Sequence, residues 1–487
     1  MTDTRDLRFI VIGAGMAGIL SAIKLLEAGR NNLRVYEKAA KVGGTWRENT
    51  YPGLTCDVAA HAYTYSFEPN PEWSQYLAPG PEIQQYFERT AKKYGLDDYI
   101  RYDREITRCE FKEGQWKLET ANGDHDYADV IIAATGVLHR PRFPSLKGLD
   151  TFRGALFHSA RWDHEVALDD KRIGVIGSGS TGVQIISALS ERAQKLTHFQ
   201  RSAQWIMPVE NPAFTEEQKA AFRNDPELLR HMQNEPTYSA AVDRFNHAIA
   251  NPDSPEMHEI EAWVLQNLED SVADPVLKEK LRPGYRAACK RLIYSPDYYQ
   301  AIQRPNVFLE TENIECIEEN GIRTADGVLH ALDVIVLATG FHAHAFMRPM
   351  QIVGRNNRSL DDTWAEGPRA YLSISMPDFP NFFMLNGPNG PVGNFSLIEI
   401  AEHQWHYIEQ LIELIEGGEC SHINTSQKAQ DTFETARVAA AKQTIFGSGC
   451  QSWYLDDKGI PATWPWDRAR FFEEMEEPDL QAYDMTC

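Results

Sequence analysis

The chain's first clear pattern is a short unbroken apolar run, Phe9-Ile-Val-Ile12, that stops at Gly-Ala-Gly-Met-Ala-Gly18. Such a run, bounded by glycine, predicts a strand buried on both faces. A helical stretch follows to Ala28, and Leu33-Arg-Val-Tyr-Glu37 predicts a second strand. Strand, glycine turn, helix, strand is the opening of a parallel α/β sheet. The same grammar returns at Arg172-Ile-Gly-Val-Ile176, followed by Gly-Ser-Gly-Ser-Thr-Gly182. The two units align without a gap at an offset of 164 residues, Gly13 onto Gly177.

No glycine occurs between Gly182 and Gly284, and residues 212–282 are rich in Ala, Glu, Leu, Gln and Lys. These are good helix formers, and the prolines at 212, 226, 236, 252, 255 and 275 divide them into several short helices. Strands resume at Val307-Phe-Leu309 and Asp333-Val-Ile-Val-Leu-Ala338, and a long helix is predicted over about Ile398–Glu416. The expected fold class is α/β: two doubly wound, Rossmann-like dinucleotide-binding domains with a helical insertion in the second. The boundaries read as 1–145 with 382–487 for the first domain, 151–208 with 305–381 for the second, and 209–304 for the insertion. The acidic stretch Glu473-Glu-Met-Glu-Glu477 reads as solvated surface.

Composition narrows the function. The 487 residues are 43% hydrophobic and 24% charged, as in ordinary globular proteins. With 48 basic against 70 acidic residues, the net charge of -22 argues against nucleic acid or an anionic membrane as partner. The seven cysteines, an odd number at 56, 109, 289, 316, 420, 450 and 487, suggest reduced thiols rather than a disulfide framework. The N-terminal residues lack a secretory pattern, and no run of 18 apolar residues occurs. The expectation is a cytoplasmic monomer or weak homodimer.

Each G-x-G-x-x-G follows a strand and opens a helix, the context its chemistry requires. The first glycine makes the turn, the second lets the backbone approach a pyrophosphate, and the third lets helix and strand pack. Gly13, Gly15 and Gly18 fill these roles in one unit, and Gly177, Gly179 and Gly182, with Ser178, Ser180 and Thr181 between them, in the other. Glu37, 24 residues after Gly13, suits a ribose with a free 2′-hydroxyl, so the first site takes FAD or NAD. Arg201 holds the equivalent position after Gly177, with Ser202 beside it, and suits the 2′-phosphate of NADPH. Ala-Thr-Gly136 and Ala-Thr-Gly340, each after a buried strand, would pass close to a bound dinucleotide. His342 and His344 have no third ligand near in sequence, so no metal site is expected. Cys56 has no second cysteine four or five residues away, which excludes a disulfide reductase.

Phe152-x-Gly154-x-x-x-His158-x-x-x-Trp162-Asp163 precedes the second glycine motif, and Gly43-Gly44-Thr-Trp46, Tyr51-Pro-Gly53 and Asp57 follow the first. In these residues the chain resembles the flavin-dependent Baeyer–Villiger monooxygenases. The likeness runs from residue 8 to about 460. It implies an enzyme that uses FAD, NADPH and O₂ to insert one oxygen atom beside a ketone carbonyl through a C4a-peroxyflavin, giving an ester or lactone.

The resemblance also implies residue roles. Arg291 would be the catalytic arginine and Asp57 its carboxylate neighbour. Thr45, Trp46, Asp57 and Tyr63 would line the FAD site, with the backbone of Ile106 facing the adenine. Lys290 and Arg201 would meet the NADP 2′-phosphate, and Trp453 would close over NADP from a C-terminal loop. His158 and Trp162, between the two domains, read as a hinge. Loops at 390–395 and 445–455, with the insertion, would shape the substrate pocket. Two other readings remain open: oxidation of sulfur or nitrogen, and a flavin-binding redox protein or NADPH oxidase that releases only H₂O₂.

Overall fold

The computed structural model describes residues 5–486; Cys487 and the first four residues of the N-terminal stretch lie outside it. The two predicted units form two separate parallel sheets. In the first, β1 (Phe9–Ile12) leads through α1 (Met16–Glu27) to β2 (Leu33–Tyr36). β3 (Ile100–Arg101) pairs with β2, and β4 (Val130–Ala133) pairs with β1 on its other side. Every residue of β1 and β4 is buried, as expected for strands covered on both faces.

The second sheet holds β5 (Ala155–His158), β6 (Arg172–Ile176), then α2 (Ser180–Leu189) and β7 (Lys195–Phe199). β8 (Val307–Glu310) and β9 (Val334–Leu337) complete the order β8-β7-β6-β9-β5, all parallel. Between β7 and β8 lie α3 (Glu216–Asn224), α4 (Pro226–Gln233), α5 (Pro236–Ala250), α6 (Pro255–Ser271) and α7 (Pro275–Leu281). Four of them start on the prolines of the sequence pattern, where the missing N–H costs nothing. Thr215, Asp225, Glu235, Ser254 and Asp274 each cap the next helix through a side-chain oxygen.

After the insertion and the second sheet the chain returns to the first. β10 (Phe382–Met384) adds beside β4, giving the order β10-β4-β1-β2-β3. α8 (Leu397–Glu416) packs against α1. The acidic stretch belongs to a helix, Arg468–Glu476, that buries Phe471 and Met475 and leaves its glutamates at the surface.

Two sequence expectations are corrected. The boundary of the second unit at 381 moves back to about 340. Gln351–Val353 pairs with Ile106–Lys112 of the first unit, and Ile352, Trp364, Met376 and Phe379 pack in one cluster with Ile10 and Ile131. The crossing follows the Ala-Thr-Gly340 turn rather than the next visible strand, so the pattern of strands alone placed it too late. The cysteines are not all thiols: Cys289 and Cys450, 161 residues apart, form a disulfide with their Cα atoms 6.2 Å apart. Counting cysteines could not show that the fold brings these two together in one apolar cluster.

Candidate active site

A cavity of about 1240 Å³ runs between the two sheets, and both glycine loops face it. Gly13 has φ +102°, and a Cβ there would stand 2.6 Å from the Ala134 carbonyl oxygen, so the loop admits no side chain. A side chain at Gly18 would strike the Gly13 carbonyl, which is the close helix–strand packing expected of the third glycine. Gly182 stands in the same relation to Gly177. Gly13, Gly15 and Gly179 line the cavity with Ser180 and Thr181; Gly18, Gly177, Ser178 and Gly182 pack beneath it.

The helix starts at these loops differ from those of the insertion. α1 and α2 begin at Gly15 and Gly179 with no side-chain cap, so their first N–H groups are left for whatever enters the cavity. At Gly179 the space around the missing Cβ is open to 4 Å. Uncapped helix starts aimed into a cavity suit the pyrophosphate of a dinucleotide. Deeper in, Asn394 lines the cavity while buried with both amide atoms unpartnered, and Asn386 leaves its amide oxygen so. Such groups need a polar ligand edge or water. By these observations the cavity fits two dinucleotides.

Glu37 is 4% exposed. Its carboxylate accepts from Ala14 N at 2.8 Å, Ala39 N at 2.9 Å and Arg47 Nη1 at 2.8 Å. Three of its roughly four acceptor positions are therefore used in bracing the loop, which leaves one for a ribose hydroxyl. Thr45 and Trp46 follow on a short helix, and Trp46 donates its indole N–H to the Tyr63 hydroxyl at 3.1 Å. Thr45, Trp46, Tyr63 and Ile106 all line the cavity.

The second unit gathers cations outside the cavity lining. Ser178 donates to the Ser202 carbonyl at 2.8 Å, and Lys290 donates to the Ser202 hydroxyl at 3.0 Å. Partial burial and the neighbouring Arg201 hold the Lys290 ammonium below its usual range. Among the described residues neither Arg201 nor Lys290 pairs with a carboxylate. Two adjacent cations without a counter-ion form a place for an anion.

Arg291 and Asp57 meet at the junction of the two units. The guanidinium gives Nε, at 3.0 Å, and Nη2 to one carboxylate oxygen, Oδ2. Burial opposes the charge, but Asp57 and the Tyr454 hydroxyl more than offset it and hold Arg291 above its ordinary range. The 31% of its side chain that remains exposed belongs to a residue lining the cavity. The Tyr51-Pro-Gly53 stretch docks the first unit onto α2. Tyr51 donates to Gln184 Oε1 at 2.8 Å, and Gln184 reaches back to the Thr55 carbonyl at 3.1 Å.

Other sequence candidates take structural places. His158 accepts from Ala160 N at 3.1 Å and donates to the Gly340 carbonyl at 3.0 Å; burial lowers its pKa, so it stays neutral between strand and turn. His344 bonds the Leu455 carbonyl, and no cluster of three metal-binding side chains occurs among the described residues. Burial, and Asp57 beside it, push the Cys56 thiol up, away from reactivity. Sequence reasoning assigned the insertion and the loops 390–395 and 445–455 to the pocket without singling out Tyr238, Phe245 and Trp263 from the insertion, or Gly393 and Tyr454 beside Arg291. Only a helix-face pattern in the insertion could have pointed to the first three.

Comparison with known proteins agrees with this geometry. Residues 6–214 match the family model described as flavin-binding monooxygenase-like. An uncharacterized monooxygenase of Mycobacterium tuberculosis is 45% identical over 476 residues, 98% of this chain and 95% of that one. A Baeyer–Villiger monooxygenase of Streptomyces coelicolor is 34% identical, over 98% of this chain and 92% of that one. The crystal structure of OTEMO in complex with FAD and NADP superposes with a TM-score of 0.87 at 28% identity, covering 99% of each chain. Fold and site thus define a two-dinucleotide flavoprotein monooxygenase, with FAD and NADP as its cofactors. The chain belongs to the Baeyer–Villiger monooxygenase family. No helix among the described residues is long and apolar enough to cross a membrane.

Proposed function

We propose that the protein converts a ketone to an ester or lactone with NADPH, a proton and O₂, releasing NADP⁺ and water. The observation that carries this reading is the Arg291–Asp57 pair, which faces the cavity shared by both glycine loops. Gly13, Gly15, Glu37, Thr45, Trp46, Tyr63 and Ile106 would hold FAD. Gly179, Ser180, Thr181, Arg201, Ser202 and Lys290 would hold NADPH, with Trp453 closing over it. When bound, FAD reduced by NADPH supplies the activated oxygen atom.

The remaining chemistry falls to the protein. Attack on a ketone carbonyl moves negative charge onto its oxygen, and a fixed cation lowers that barrier. Arg291 keeps its charge at any working pH. Asp57 takes two of its donors and so fixes the plane of the guanidinium. On the substrate side Tyr238, Phe245, Ile249, Leu292 and Phe446 supply apolar walls, which exclude water and suit a neutral, hydrophobic ketone. A panel of linear, cyclic and aromatic ketones, with products identified by mass, tests the reading. An added oxygen atom and one NADPH consumed per product are expected. NADPH consumption that yields only H₂O₂ with every ketone would overturn it.

A further inference from the structure

Asp57 engages Nε and Nη2 of Arg291, so Nη1 is the nitrogen it leaves over. That nitrogen meets Gly393, where a Cβ would stand 3.0 Å from Nη1 and would collide with the Tyr454 hydroxyl. The phenol therefore occupies the space that a side chain at 393 would take. Its oxygen and Arg291 Nη1 stand on the same side of Gly393, and the phenol helps to hold the guanidinium charged. Tyr454 is 2% exposed. Its ring is held by Phe446 and Trp453, with centroids at 4.5 and 4.3 Å. Its backbone is fixed by Ser452 Oγ at 3.1 Å and Ala462 N at 2.7 Å. The disulfide from Cys450 to Cys289 ties the same loop to the chain two residues before Arg291.

We propose that Tyr454 is a positioning residue of the active site, accepting a hydrogen bond from Nη1 so that Asp57 and Tyr454 clamp the guanidinium from two sides. Gly393 is part of the device, because only a residue without a side chain leaves room for the phenol. The proposal rests on the reading of Arg291 given above. A cation clamped at all three nitrogens keeps one orientation while substrate enters, which is preorganisation rather than added charge. Nη1 commits one of its two hydrogens to the phenol and keeps the other for the cavity. The phenol stays neutral, since burial outweighs the stabilising effect of Arg291 on the phenolate.

Tyr454→Phe tests this, because it keeps the ring and its packing and removes only the hydroxyl. With a ketone that the wild type converts, kcat for ester should fall about 10-fold and the share of NADPH ending as H₂O₂ should rise, while KM for NADPH stays within about 2-fold. Crystal structures of wild type and Tyr454→Phe give a readout independent of turnover. The Arg291 guanidinium should be ordered in one orientation in the first and displaced or spread over several in the second. Gly393→Ala should displace it too, with the tyrosine intact. Wild-type ester yield in Tyr454→Phe, with an unmoved guanidinium, would overturn the clamp. A wild type that makes no ester from any ketone would instead sink the ketone reading, and the crystallographic comparison would still decide the clamp.

Discussion

Arg291 reaches across 234 residues of sequence to place Nε 3.0 Å from Oδ2 of Asp57 and to give the same oxygen its Nη2. Asp57 belongs to the first unit, and Arg291 lies within the insertion of the second, after its helix α7. The pair therefore forms only when the two sheets and the insertion are assembled, and the contact of Tyr51 with Gln184 fixes that assembly nearby. Loss of either partner would leave a charge facing a largely apolar cavity, which makes the pair sensitive to substitution on both sides.

Arg201 and Lys290 should carry the preference for NADPH. Arg201→Ala should raise the KM for NADPH about 10-fold or more and leave that for NADH nearly unchanged, since only NADPH bears the 2′-phosphate. Steady-state kinetics with both cofactors checks this. An equal loss with both would mean that these cations serve the loop rather than the phosphate.

Gly13 should be indispensable for FAD. Gly13→Ala combines a φ of +102° with a Cβ 2.6 Å from the Ala134 carbonyl oxygen, so the loop must move. The purified variant should hold less than about one tenth of the wild-type flavin. Gly29→Ala is the control. It also has a positive φ, but nothing lies within 4 Å of its missing Cβ, and its flavin absorbance should be unchanged.

Stability should fall with acid through histidine. Burial lowers His61, His198 and His403 to about 4, below an ordinary value of 6.5. Their unfolded forms gain protons as pH drops through about 6.5, while the folded forms do not until about 4. Stability is thus full above the upper value and is lost progressively over that window. His198 matters most, because its neutral ring donates to the Gly177 carbonyl at 3.0 Å and accepts from Tyr298. Urea midpoints should drop between pH 7.5 and 5; a flat profile would contradict the assignment.

The Cys289–Cys450 link should be chemically visible. Peptide mapping without reductant should recover the two peptides joined, and alkylation should miss both sulfurs. Cys289→Ser should cost about 2–5 kcal/mol, the range for removing a native disulfide, read as an earlier unfolding midpoint. Full labelling of both residues in native protein would remove the bond from the account.

Much of this was legible in the chain. Phe9–Ile12 and Arg172–Ile176, each running into glycines, announced both sheets because local pattern alone sets a buried strand and a tight turn. Glu37 and Arg201, at the same offset after their glycines, gave the expectation of two different nucleotide sites, which the cofactor kinetics above test. What stayed hidden was tertiary. Gln351–Val353 joins the first unit through pairing with a strand some 240 residues earlier, which no local pattern encodes. Tyr454 reads as one more aromatic in a loop until Gly393 and Arg291 stand beside it, and Cys289 gives no sign of Cys450. Glu37 was legible as an acceptor, but its three internal donors were not, because Arg47 and Ala39 reach it only in the folded loop.

The central claim is that Arg291 stabilises charge on the reacting oxygen, and ester formation by Arg291→Ala tests it most directly. Half-reactions followed by stopped flow, with product analysis, separate the steps. The variant should bind FAD and be reduced by NADPH yet lose more than ~10²-fold in ester formation, the scale for removing a preorganised donor. Arg291→Lys should recover little, because an ammonium cannot offer Asp57 the planar fork. An Arg291→Ala protein that turns a good ketone into ester at close to the wild-type rate would contradict the account and leave Arg291 as a structural partner of Asp57.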